Sequence, residues 1–231
     1  MAIKLYDLAG ANPDRRFSPF CWRIRMALAH KGLAVETVPW RFTEKDRIAA
    51  SGQLLVPVIE DGGTVLHDSW TIACHLEDSY PDRPSLFGGA GGRAMARFIG
   101  AWTDSVVQLG VARCVLKDIW DVLDPKDQPY FRESREKRFG MSLEAVVANR
   151  EATVRDFRAS LGPLRFTLGK QDFLGGAAPN HADYIVFGAF MWARNVSDFR
   201  LLEPDDAVYA WRGRLLAAFD GLAGRSLGYD V

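Results

Sequence analysis

The chain has no net charge: across 231 residues, 29 Lys and Arg balance 29 Asp and Glu. With neither sign in excess, it presents no field to hold a polyanion such as nucleic acid, and it has no polybasic segment for a membrane surface. Cysteine is scarce. Cys21, Cys74 and Cys114 are odd in number and far apart, which argues against a disulfide framework and against a thiolate zinc site. A reducing cytoplasm suits such a chain. The four histidines, His30, His67, His75 and His181, show no metal-ligand spacing. Long apolar runs are also missing. The opening MAIKLYDLAG is too short for a signal peptide, and no later segment approaches the roughly 18 apolar residues of a membrane span. The expected partner is a small molecule or another protein, with no metal.

The residues that are present divide the chain into two unlike parts. Ile3 to Leu8 reads as a buried strand, Ser18-Pro19 opens a helical pattern that Gly32 stops, and Ala34 to Val38 reads as a second strand. A strand, helix, strand unit of this kind places its strands parallel. After a polar, irregular stretch from Arg41 to Gln53, the run Leu54 to Glu60, the turn Asp61-Gly62-Gly63 and Thr64 to Leu66 form a hairpin, followed by a helix capped by Asp68-Ser69 that ends near Tyr80-Pro81. The order predicts a small thioredoxin-like domain over residues 1–80. PDRPSLFGGAGG, residues 81–92, has the composition of a linker. Residues 93–231 read as an all-helical bundle, with helices over 93–119, 142–161, 183–193 and 208–222. The mixed charges of Arg132 to Arg138 fit a solvated helix face.

Three positions invite chemistry. Pro57 cannot donate in a strand ladder, so it stands at an edge or follows a cis bond that turns Val56 outward. Ser18, with Pro19 in the favoured first helical position, is a helix cap or a donor to a bound group. Asn180 and Asp183 in NHAD have capping-box spacing before an apolar helix and are read as structural.

The order of SPFC at a helix start, LVP before a hairpin, HDSWTIACHLEDSYP opening a helix, a linker and an all-helical half resembles the cytosolic glutathione transferases over nearly the whole chain. SPFCWRIRMALAHKGL, PNHADYIVFGAFMWA and EPDDAVYAW are similar in look to the bacterial lignin β-etherases and the fungal etherase-like transferases. The resemblance implies glutathione as co-substrate and a cytoplasmic homodimer. It also implies roles in the family's manner: Val56 and a cis Pro57 against the cysteinyl backbone, Asp68 and Ser69 at the γ-glutamyl end, and Gln53, Arg41 or Lys45 at the glycyl carboxylate.

A free thiol near pKa 8.5 is only about 3% thiolate at pH 7. Lowering that pKa by about two units requires roughly 2.7 kcal/mol in favour of the thiolate. A helix N-terminus supplies about 0.3–1 kcal/mol, up to about 2 when partly buried. A hydrogen bond to a charged acceptor adds roughly 1.5–3 kcal/mol. Given the resemblance, Ser18 is the expected catalytic donor. Cys21 is read as a core residue, with a redox role as the alternative if its thiol is exposed. The electrophile is expected among Trp102, Val106, Arg113 and Trp120, which recur at roughly helical spacing. The expected activity is thiolate attack on an aromatic electrophile. The alternatives are β-aryl ether cleavage and non-catalytic carriage of aromatic ligands.

Overall fold

The computed structural model describes residues 2–231. Alternate side chains of β1 (Ile3–Leu8) are buried, with Ile3, Leu5 and Asp7 on one face. Asp7 on this face reaches Arg25 of α1 (Pro19–His30), so the helix covers that side of the sheet. The chain returns as β2 (Val35–Trp40), parallel to β1 with Ile3 opposite Val35, as the crossover requires. The stretch read as irregular contains a short 3₁₀ helix, Lys45–Ser51, around buried Ile48. β3 (Val58–Asp61) and β4 (Thr64–His67) complete a sheet of order β2-β1-β3-β4, with β3 antiparallel to both neighbours. Their turn, Gly62-Gly63, has φ of 56° and 90°, a tight hairpin geometry that favours glycine. Pairing of β3 starts at Val58 rather than at Leu54, because Pro57 has no N–H to donate. α2 (Ser69–Ser79) then packs against α1. This is a thioredoxin-like domain.

The helical domain begins with α3 (Ala90–Trp102), which runs through a π turn, Thr103–Val107, into α4 (Gln108–Val122). α5 (Gln128–Phe139) carries the mixed charges, but Phe131 is buried and Arg135 stacks over the Phe131 and Phe42 rings. That face is therefore only partly solvated. The helix expected over 142–161 is two, α6 (Leu143–Val147) and α7 (Arg150–Ser160), and α8 (Gly162–Leu168) follows. α9 (His181–Val196) is buried at every residue except Trp192, as suits the centre of a bundle. α10 (Ala207–Gly221) leaves helical geometry at Ala218, Phe219 and Asp220.

The capping box at α9 is present. Asn180 Oδ1 accepts from the Ala182 N–H at 2.9 Å. The Asp183 carboxylate accepts from the N–H groups of Asn180, Leu174 and Gly175 at 3.0, 2.7 and 3.0 Å and from the Trp211 indole at 2.8 Å. Burial pushes this carboxyl pKa up, and its four donors work against that push.

Three contacts lock the halves together. Asp127, fully buried ahead of α5, accepts from the Phe42 N–H, the Thr43 N–H and the Thr43 hydroxyl at 3.2, 3.0 and 2.6 Å, so the helical half closes the loop after β2. Lys31, buried past the end of α1, pairs with Glu77 at 2.9 Å, and Glu77 also accepts from the Leu86 N–H at 2.8 Å. Leu86 O accepts from the His181 N–H at 2.8 Å. Residues 81–92 are therefore pinned at their middle. The third contact is between α1 and α9: a Cβ on Gly188 would lie 2.3 Å from Pro19 O, so only glycine lets the helices meet this closely. Gly188→Ala is expected to cost about 2 kcal/mol by overpacking and to lower Tm by roughly 4–8 °C. Calorimetry of the two proteins checks this.

Candidate functional site

Ser18 is the N-cap of α1, with extended backbone (φ −64°, ψ 124°) and Pro19 directly after it. Its Oγ accepts from the Cys21 N–H at 3.2 Å. Ser18 is buried, and among the described residues its hydroxyl donates to no oxygen or nitrogen; the one group it acts on as a donor is the neighbouring Cys21 thiol, so the group that caps the helix keeps a proton that a stronger acceptor could take. A ligand anion at this point would also meet the positive end of the α1 dipole.

The Val56–Pro57 bond is cis. Val56 precedes the paired part of β3, so its N–H and C=O are not taken up by the ladder. Gln53 lies on the same loop, where its Nε2 donates to Leu55 O at 2.8 Å. Lys45 Nζ donates to Leu54 O at 3.4 Å and sits 4.8 Å from the Tyr130 ring centroid. Arg41 is committed elsewhere, to Gly10 O and Ala11 O and to Glu44.

Asp68, rather than Ser69, caps α2. Its carboxylate accepts from the Thr71 N–H at 2.9 Å and the Thr71 hydroxyl at 3.1 Å. Its φ of 68° is uncommon for a non-glycine residue, and such strain concentrates at functional sites. Ser69 is the first residue of the helix, where backbone N–H groups lack intrahelical acceptors. Asp68 and Ser69 line a cleft of about 350 Å³ with Phe20, Arg23, Asp104 and His181. Phe20, in the first turn of α1, brings the starts of both helices to this cleft, while Ser18 itself is buried and does not line it.

Sequence reasoning missed Arg23, Asp104 and His181. Arg23 stacks over the Phe20 ring at 4.5 Å and pairs with Asp104 at 2.6 Å. Asp104 lies in the π turn and also accepts from Gln108 Nε2 at 2.6 Å. His181 is buried with no partner at Nδ1. Burial, with Arg23 nearby, pushes its pKa down to about 3, so the ring is neutral at ordinary pH. The one available signal was an arginine on the inward face of SPFCWRIRM, and its acidic partner is far away in sequence.

The expected electrophile residues are not brought together at the cleft. Val106 and Arg113 line a separate groove of about 580 Å³ with Phe157, Met141 and Asn149. Trp102 packs half-buried against the core, and Trp120 sits beneath Lys117 and Arg132. The π turn is the reason: its i→i+5 bonding adds a residue to the turn and shifts the helical phase, so a stripe that starts on α3 leaves its face on α4.

Cys21 is fully buried, with Sγ 3.9 Å from Tyr6 O. Burial and then the nearby Asp7 charge hold its thiol pKa well above the usual range. This geometry removes the exposed thiol that the redox alternative required. Cys114 is buried, its pKa pushed up to about 11 by the same desolvation, and Cys74 is half-buried. Among the described residues there is no group of three His, Cys, Asp or Glu able to hold a metal, and no helix long and apolar enough to cross a membrane. His67 is exposed on β4.

Known proteins share this architecture. A structure of a glutathione transferase from Phanerochaete chrysosporium is 26% identical and covers 96% of this chain and 92% of its own, with a TM-score of 0.77. A glutathione S-transferase of Ceriporiopsis subvermispora, solved in complex with glutathione, is 25% identical, covers 95% and 97%, and has a TM-score of 0.79. Among curated relatives, a glutathione S-transferase-like protein of Aspergillus flavus is 32% identical over 139 residues, 54% of this chain and 49% of its own length. A glutathione S-transferase of Arabidopsis thaliana is 35% identical over 69 residues, 28% of this chain and 31% of its own. The chain thus spans about half or less of the length of these two curated relatives. The family model for the glutathione S-transferase N-terminal domain matches residues 13–84. That for the C-terminal domain matches residues 94–217, more than half of the chain, and the protein therefore belongs to the glutathione S-transferase family.

Proposed function

We propose that this protein is a glutathione transferase in which the Ser18 hydroxyl stabilises the thiolate of bound glutathione for attack on an electrophilic, aromatic carbon. The observation that carries this reading is the state of Ser18 Oγ. It accepts from the Cys21 N–H at a helix N-terminus and donates to no oxygen or nitrogen among the described residues, with only the Cys21 thiol near its proton. The rest of the tripeptide is read along the same edge. Val56, beside cis Pro57, offers its unladdered backbone to the cysteinyl segment. Ser69 and the free N–H groups of α2 take the γ-glutamyl carboxylate, and Asp68 its ammonium. Gln53, with Lys45 at the start of the preceding 3₁₀ helix, faces the glycyl end. Family likeness further supports a cytoplasmic homodimer.

Turnover of glutathione with chlorodinitrobenzene, followed as thioether absorbance, tests the reading. The expected result is saturable catalysis in both substrates, above the uncatalysed rate. Binding of both compounds without turnover would leave a carrier and remove the transferase.

A further inference from the structure

Beside the glutathione cleft lies a second cavity of about 140 Å³. Phe20 and Asp104 line both. Its walls are mixed: Phe139 and Trp192 supply rings, and Gln108, Arg135 and Arg138 supply polar groups. The volume is close to that of an apolar cavity of roughly 150 Å³ that holds a benzene, so it admits a single ring. Phe20, two residues after the proposed thiolate donor, is part of the cavity wall. The ring of Phe17, the residue before Ser18, has its centroid 6.4 Å from that of Phe42, and the Arg135 guanidinium lies 5.6 Å from the Phe42 centroid.

The two arginines on this wall, half-buried Arg135 and solvent-exposed Arg138, are left without an acidic partner among the described residues. Asp104 is already matched by Arg23 at 2.6 Å. Glu136, the acid next to Arg135, is engaged by Arg132 at 2.8 Å. The Arg135 guanidinium donates to the Ser134 hydroxyl at 2.9 Å and stacks on two rings. Neither Arg135 nor Arg138 forms an ion pair with a carboxylate among the described residues. Burial lowers the Arg135 pKa, and of the two neighbouring charges Tyr130 opposes that shift and Arg138 adds to it. A guanidinium stays charged at any accessible pH. Two of them without carboxylate partners, on the wall of a cavity whose one acid, Asp104, is already paired and whose rings are Phe20, Phe139 and Trp192, complement an oxyanion attached to a ring.

Resting on the transferase reading above, we propose that the electrophile is an aromatic acid: an activated ring held by Phe20, Phe139 and Trp192, with its carboxylate on Arg135 and Arg138. In the transfer, the glutathione sulfur forms a bond to the activated ring carbon. The leaving group departs with the electron pair of the bond it breaks, and the carboxylate is unchanged.

Chloronitrobenzoate and its neutral amide, each rate normalised to its own uncatalysed reaction with glutathione, provide the test. The expected result is a kcat/KM at least about tenfold higher for the acid, as follows from a charged hydrogen bond. That ratio should collapse in Arg135→Gln and in Arg138→Gln through the KM for the acid. Equal use of acid and amide by the wild type would overturn the proposal. So would an Arg135→Gln protein whose KM for glutathione rises as much as that for the acid, since the guanidinium would then serve glutathione's own carboxylate. If neither compound is turned over, the transferase reading fails, and quenching of tryptophan fluorescence by nitrobenzoate and nitrobenzamide still decides the cavity's preference. Binding of the acid at least about tenfold tighter supports it, and equal binding overturns it.

Discussion

Ser18→Ala is expected to raise the pKa of enzyme-bound glutathione by about one to two units, the equivalent of a hydrogen bond to a charged acceptor worth roughly 1.5–3 kcal/mol. Turnover at neutral pH should fall by about 10- to 100-fold. The sign follows from which form the hydroxyl favours. A donor stabilises the thiolate over the thiol, so losing it moves thiolate formation to higher pH, and the deficit shrinks as pH rises through the new pKa. Thiolate ultraviolet absorbance of the binary complex, titrated in both proteins, measures the shift directly. Removing the cap to the Cys21 N–H should cost only about 1 kcal/mol of stability, so the loss of rate is separable from unfolding. Ser18→Thr keeps a hydroxyl and should recover part of the shift. An unchanged pKa in Ser18→Ala would assign the activation to the α1 N-terminus alone.

Asp183→Ala should produce the largest loss of stability. It strands three backbone N–H groups and the Trp211 indole N–H, all currently bonded to one buried carboxylate. An unsatisfied buried donor costs about 1–3 kcal/mol. Even with partial relaxation the sum should exceed about 4 kcal/mol, a large part of the 5–15 kcal/mol typical of folded proteins. Tm should fall by roughly 8–16 °C, while turnover per folded molecule stays intact. Asp183→Asn keeps one acceptor oxygen and should fall between the two. Normal melting with lost turnover would instead move Asp183 into the active site.

What was legible in the sequence was local chemistry. Gly62-Gly63 marks a turn because few other pairs fit it, Asn180 and Asp183 mark a helix start because the cap needs those oxygens, and Pro57 marks where β3 pairing cannot begin. Asp68 and Ser69 were visible as a helix start for the same reason, although the cap falls on Asp68. The remainder depended on contacts made across the fold. Arg23 and Asp104 meet across 81 residues, and neither carries a local mark of the other. The π turn is invisible to a periodicity argument that assumes a constant 3.6, so Trp102, Val106 and Arg113 were assigned to one stripe although the chain changes phase between them. Arg135 has the same local surroundings as its solvated neighbours. Stacking on Phe131 and on the ring of Phe42, from the other half, distinguishes it.

The meeting of Asp127 with the loop after β2, and of Gly188 with Pro19, bears on how such a chain can diversify. A crossover at residues 81–92 between two relatives would look like an exchange of interchangeable modules. Yet a first half received from elsewhere needs a carboxylate at 127 to close its own loop. It also needs a residue without a side chain at 188 to seat its first helix. Recombinants that keep both positions inherit a working junction, whereas those that lose either must re-evolve it before the first helix can present a serine to anything.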